Sequence, residues 1–187
     1  MNERQRSRRP GGRSARVGAE VHQAVTGLIN ERGYGNFTVG QVAARAGVAD
    51  SSIYRRWGSL EALLTDVALT CLNAQSPMPD TGSLAGDLRT YAAQVAREIT
   101  GPDGLLLVRL AVALSSNGQQ GVQARDALRD ERTRQLQSML DRARERGEHA
   151  PEAFGVLDHI LAPMYIRVLF GMELTPDYVD GLVDRML

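Results

Sequence analysis

Between Thr38 and Arg56 the chain gathers six side chains that can do chemistry on a polyanion: Thr38, Ser51, Ser52, Tyr54, Arg55 and Arg56. A hydroxyl donates one hydrogen bond, and a guanidinium presents five N–H donors in a fixed fork with no acceptor. The hydroxyls of Thr38, Ser52 and Tyr54 can therefore donate to phosphate oxygens, while Arg55 or Arg56 can fork onto a guanine edge or a phosphate. The competing reading is that Tyr54 packs on a supporting helix and the arginines merely solvate a surface. Other chemistries find no footing. His22, His149 and His159 have no metal-ligand spacing among themselves or with Cys71, and no phosphate-binding glycine loop or nucleophile motif appears. No catalytic residue, metal or cofactor is expected, so the chain is not read as an enzyme.

The stretch that must position these groups is Phe37–Leu64. Val39, Val42, Ala43 and Ala46 recur at three- and four-residue spacing, which predicts one buried face of a short helix. Gly47 then ends it, because a residue just past a helix end commonly takes a left-handed conformation that costs glycine little. A second short helix over Ser51–Trp57 buries Ile53 and Trp57 and leaves Ser52, Tyr54, Arg55 and Arg56 on or near the outer side, with Asp50 or Ser51 as its cap. Asp50 would repel phosphate, and capping is its expected role. Ser59 caps a longer third helix from about Leu60 to about Asn73.

In these residues the chain resembles the DNA-binding motif of the tetracycline-repressor (TetR) family of bacterial regulators. Thr38, the Val-Ala-x-x-Ala-Gly-Val run at 42–48, Ile53-Tyr54-Arg55-Arg56-Trp57 and Ser59-x-Glu61-x-Leu63 carry the resemblance. It implies that Thr38, Ser51, Ser52, Tyr54, Arg55 and Arg56 approach the major groove of an operator or its phosphates. Two positions depart from the pattern. Ala49 stands where the family often has a capping serine, and Leu60 where it often has a phosphate-touching lysine.

Charge supports the same division of labour. Over 187 residues the formal net charge is zero, but residues 1–60 carry +6 and residues 61–187 carry −6. A basic N-terminal part facing nucleic acid and a larger, acidic part with another task follow from that asymmetry. The lone Cys71 excludes an intramolecular disulfide and fits a reducing cytoplasm. The longest apolar run, Leu105–Leu114, is broken by Arg109 and is far short of the roughly 20 residues a membrane span needs.

The remaining chain predicts an all-α protein of about nine helices. Residues 1–14 read as a disordered, arginine-rich arm, either a solubilising tail or a segment that enters the minor groove. Residues 15–58 form the helix-turn-helix domain, 59–76 a connecting helix, and 77–187 a helical regulatory and dimerisation domain. Within the last, Leu105–Ser116 is apolar nearly all round and is expected to be buried. A helix over about Glu152–Phe170 is apolar on more than one side and carries Pro163, which should kink it. The resemblance further implies a homodimer built from the last two long helices and an apolar pocket for a small-molecule effector that releases a repressor from a near-palindromic operator. Candidate interface residues are Val156, Ile160, Met164, Val168, Val179, Leu182, Val183 and Met186. Candidate pocket residues are Cys71, Tyr91, Arg109, Met139, His159 and Tyr165. An effector-independent architectural or protein-recruiting dimer is the alternative.

Overall fold

A computed structural model describes residues 11–33, 36–74, 78–115 and 118–187. Among these residues every regular element is a helix. In chain order they are α1 (Gly11–Arg32), α2 (Val39–Ala46), α3 (Asp50–Trp57), α4 (Leu60–Ala74), α5 (Leu84–Ile99), α6 (Leu106–Ser115), α7 (Gly118–Glu145), α8 (Ala153–Val156), a π-helical turn (Leu157–Leu161), α9 (Ala162–Leu169) and α10 (Pro176–Asp184). The all-α expectation holds, and the count is nine if α8, the π turn and α9 are taken as one continuous helix. Residues 1–10 of the expected arm lie outside the described residues, and Gly11–Ser14, read from sequence as arm, are the first turn of α1.

Two apolar cores organise the helices. The first joins Val21, Val25, Leu28 and Ile29 of α1 to Val42 and Ala43 of α2, Ile53 of α3, and Leu63, Leu64 and Val67 of α4. It does not stop at the boundary drawn from sequence, because Leu106, Leu110 and Leu114 of α6 and Leu128 of α7 belong to it as well. The second packs Leu88, Tyr91 and Val95 of α5 against Leu136, Met139 and Leu140 of α7, Val156, Ile160 and Met164, and Val179, Leu182 and Val183 of α10. Helix α7 thus lends its first half to one core and its second half to the other. The expectation that α6 is buried all round fails: Leu106, Leu110 and Leu114 face the core, but Val112 is 63% exposed.

Local chemistry sets the ends and bends. Gly147, at φ +83°, stops α7 in the left-handed region. Pro163 does not break its helix. The turn just ahead of it widens to the π form, with the Ala162 N–H donating to the Leu157 carbonyl. That register makes room for a ring with no N–H to give. At the start of α5, fully buried Asp87 accepts from the Thr81 backbone N–H (2.6 Å), the Thr81 hydroxyl (2.8 Å) and Arg146 Nη2 (3.2 Å). Glu148 Oε2 accepts from the Leu84 N–H at 2.8 Å, so the end of α7 caps the beginning of α5. No helix of the described residues is long and apolar enough to cross a membrane.

Candidate nucleic-acid interface

Helix α2 begins with a reciprocal cap. The Thr38 side-chain oxygen accepts from the Gln41 N–H at 3.4 Å, and the Gln41 side chain accepts from the Thr38 N–H at 2.9 Å. The Thr38 hydroxyl hydrogen is left to donate outward, since the cap uses its oxygen as an acceptor. Gly47, at φ +66°, closes the helix with its N–H on the Ala43 and Ala44 carbonyls, and the Val48 N–H also reaches the Ala43 carbonyl at 3.0 Å. Ala43 has no exposed surface, and its small side chain lets α3 cross closely.

The cap of α3 differs from expectation. Its N-cap is Ala49, which makes no side-chain bond, and Asp50 is the first helical residue. There its charge complements the positive helix N-terminus rather than satisfying a free N–H. Its carboxylate lies against Gly40, where a Cβ would come within 3.2 Å of Oδ2. Inside, Ile53 is buried and half-buried Trp57 donates from Nε1 to Asp66 Oδ2 at 2.8 Å. The same oxygen lies 2.9 Å from His22 Nε2, so one carboxylate ties α1, α3 and α4 together. Burial alone would raise the Asp66 carboxyl, but the hydrogen bonds from Trp57 and His22 prevail and hold it below its usual range. Ser59 caps α4 as expected, accepting from the Ala62 N–H at 3.2 Å.

Outside, Ser51, Tyr54 and Arg55 are exposed and Ser52 is half-buried. Tyr54 is 54% exposed, which leaves its hydroxyl available rather than packed on a supporting helix. The two arginines part company. Arg56 turns back onto α1, donating from Nη1 to the Ser14 carbonyl at 2.8 Å with its guanidinium 4.7 Å from the Trp57 ring centroid. Gly18 makes room for it, as a Cβ there would lie 2.9 Å from Arg56 Nη1. Arg55 makes no such return contact among the described residues. Arg45, on the far side of α2, forks onto Glu31 of α1 with two bonds of 2.6 Å, and that bond holds the Glu31 carboxyl below its usual range. Leu60 is half-buried against the first core, so the departure at this position serves packing.

A cavity of about 340 Å³ lies where the two cores meet, lined by Leu72 of α4, Leu107 and Ala111 of α6, Arg125, Leu128, Arg129 and Arg132 of α7, and Leu157, Asp158, Leu161, Ala162 and Tyr165 beyond them. Leu128 belongs to the first core and Leu161 to the second. Of the six pocket candidates, Tyr165 lines this cavity. Tyr91 stands behind it, its hydroxyl accepting from Arg132 Nη1 at 2.8 Å. Met139 is wholly buried in the second core. Cys71 is half-buried against the first, and burial pushes its thiol up. Arg109 and His159 are misplaced by the sequence reading. Arg109 is exposed and donates to Asn30 Oδ1 at 2.8 Å, and His159 is exposed with Nδ1 2.9 Å from the Gly155 carbonyl. The arginines at 125, 129 and 132 were missed, although their spacing alternates with Leu128 along the inward stripe of α7 and could have marked them.

The interface candidates also divide. Val156, Ile160, Met164, Val179, Leu182 and Val183 are buried in their own second core, and Val168 and Met186 are half-buried against it. Residues already covered within the subunit offer no surface to a second copy. The same helices instead expose Phe154, Ile166, Leu169, Phe170 and Leu187, with Phe170 at 73%.

Comparison with known proteins places this arrangement. A family model described as bacterial regulatory proteins of the tetR family matches residues 23–67, and a second, described as the tetracyclin repressor-like C-terminal domain, matches residues 78–186. The HTH-type transcriptional regulator AqdR of Rhodococcus erythropolis is 34% identical over 136 residues, which span 73% of this chain and 65% of that protein's length. A crystal structure of a TetR-family regulator from Mesorhizobium loti superposes with a TM-score of 0.72 at 18% identity, covering 94% of this chain and 96% of that one. The Bacillus subtilis regulator FadR, solved in complex with stearoyl-CoA, superposes with a TM-score of 0.68 at 15% identity, covering 90% and 96%.

Proposed function

This chain belongs to the TetR family of DNA-binding transcriptional regulators, and from that premise we propose that it acts as a homodimeric repressor of a near-palindromic operator, released when a small molecule enters the cavity between its two cores. Thr38, Ser51, Ser52, Tyr54 and Arg55 are the groups assigned to the major groove and its phosphates. Their outward placement on a buried, doubly capped α2 and a tightly crossed α3 supports that reading. The observation that carries the regulatory part is the seam. Leu72, Leu107 and Leu128 wall the cavity, and Leu107 and Leu128 also pack with the helices that hold α2 and α3. An occupant that prefers one spacing of those walls shifts the attitude of the DNA-binding helices, and only a difference in affinity between the two states can do so.

Dimerisation is assigned to the face bearing Ile166 and Leu169, one turn apart on α9, and Phe170 at its C-cap. A cluster of large exposed apolar side chains is the mark of an association surface. FadR, whose fold this chain shares, holds stearoyl-CoA, an apolar acyl chain on a large, charged carrier, and the apolar cavity here matches the acyl part in character. Selection of a binding site from random DNA with the whole chain, followed by a screen for compounds that dissociate the selected complex, tests the proposal. A selected near-palindrome and a releasing compound support it. A selected site that no cavity-binding compound releases favours instead the architectural or protein-recruiting dimer.

A further inference from the structure

The cavity is apolar over most of its wall, and its polar groups are unevenly placed. Arg125 and Arg129 are committed to acids at the surface, with Arg125 Nη2 2.8 Å from Asp126 and Arg129 Nη2 2.8 Å from Asp130. Arg132 and Tyr165 belong to the interior. Arg132 is only 6% exposed and donates to the Tyr91 hydroxyl. The Tyr165 oxygen is buried, and the Arg132 guanidinium is set toward it. Arg132 is its close neighbour, but a guanidinium has only donors and cannot receive the phenol hydrogen. Burial pushes the Tyr165 hydroxyl above its ordinary pKa, and pushes that of Tyr91 up to about 12, with Arg132 opposing and Glu98 reinforcing the shift. Both phenols therefore keep their protons at neutral pH. A buried O–H with no acceptor is disfavoured, and a ligand oxygen is the group that would relieve it.

We propose that the cavity recognises an apolar molecule of medium chain length bearing one oxygen acceptor, a carbonyl or a carboxylate, whose oxygen receives the Tyr165 hydrogen beside Arg132 while its hydrocarbon part lies along Leu72, Leu107, Leu128 and Leu161. The inference rests on the effector reading above and adds the class of effector. A volume of about 340 Å³ lies at the small end of the roughly 300–1,000 Å³ found for ligand cavities. That size selects compact or medium-chain molecules. Tyr165 is the specificity-determining residue, and the Arg132 guanidinium, which donates to Tyr91, lies beside it.

The test is displacement of the neutral fluorophore N-phenylnaphthylamine from the whole protein by three probes of similar length: methyl octyl ketone, decanoate and decane. The ketone, the carboxylate or both should displace it at about tenfold lower concentration than decane, and Tyr165→Phe should erase that advantage without weakening decane. Whichever head group binds more tightly identifies its charge, and either order supports the proposal. Because Tyr165→Phe removes an unsatisfied buried hydroxyl, its thermal midpoint should be unchanged or higher. Equal displacement by all three probes, an advantage that survives in Tyr165→Phe, a lowered midpoint in that variant, or no binding at all would each overturn the proposal. Operator release read in the same samples separates the two claims. Tyr165-dependent binding without release overturns the release reading alone, whereas release by the ketone or the carboxylate that is equal in wild type and Tyr165→Phe overturns this inference alone.

Discussion

The two cores solve opposite problems with similar helices. The first buries its apolar residues so that polar ones can stand outside at fixed positions: Thr38, Ser51, Tyr54 and Arg55 are presented by a framework pinned through Asp66, the Arg45–Glu31 fork and the Arg56 contact with α1. The second takes polar groups inside, burying Asp87 and Arg132 and the Tyr91 ring, and leaves large apolar side chains outside on α9. A surface for a polyanion needs donors in water on a rigid base, and a surface for a second copy or an apolar ligand needs the reverse. The difference also locates where each region should fail when altered.

The largest expected effect lies on the apolar face. Leu169→Glu combined with Phe170→Glu places charges where the partner subunit would sit, and should convert dimer to monomer with a loss of operator affinity of several orders of magnitude. Sedimentation of the free protein checks the first part and anisotropy of labelled operator the second. A double variant that stays dimeric would move the interface elsewhere. Next comes the buried acid of the second core. Asp87→Ala strips the Thr81 and Arg146 bonds at once and should cost about 3 kcal/mol, read as a lower denaturation midpoint with the operator sequence preference unchanged.

The corresponding tie of the first core is weaker, because Asp66 is partly exposed. Asp66→Asn should cost about 1 kcal/mol after allowance for solvent screening. The sign with pH follows from its lowered carboxyl. A group depressed in the folded state contributes stability above its unfolded pKa of about 4 and loses it as pH falls through the folded value. Thermal midpoints measured between pH 6 and pH 3 should therefore fall more in wild type than in Asp66→Asn. Parallel curves would remove Asp66 from the account.

What was legible in the sequence tracks the same contrast. The helix-turn-helix is local, so Thr38, Gly47, Ile53 and Ser59 announce caps, turn and core within one short stretch. The all-α fold and the helix order were equally readable from periodicity. Asp50 was misread as a cap because an acid at a helix start satisfies the pattern whether it stands at the N-cap or one residue on. The contact of Arg56 with the Ser14 carbonyl was not readable locally, because another helix supplies the partner. The cavity is assembled from α4, α6, α7 and the π-interrupted helix, and no short stretch contains it. Periodicity also shows that the helix around Ile160 has more than one apolar face, but it cannot say which face is inside. Val156, Ile160 and Met164 were accordingly assigned to a partner when they fill the subunit's own core.

The separation between a reading face and its framework comes down to neighbouring arginines on α3. Anisotropy of the selected operator should be measured across a range of salt concentrations for wild type, Arg55→Ala and Arg56→Ala. Arg55→Ala should lose about 1–3 kcal/mol of operator affinity, with a salt slope smaller by about one if the contact is to phosphate. Arg56→Ala should lose less affinity and show its effect chiefly as a lower thermal midpoint. Full affinity at every salt concentration in Arg55→Ala, with the loss appearing in Arg56→Ala instead, would contradict the account.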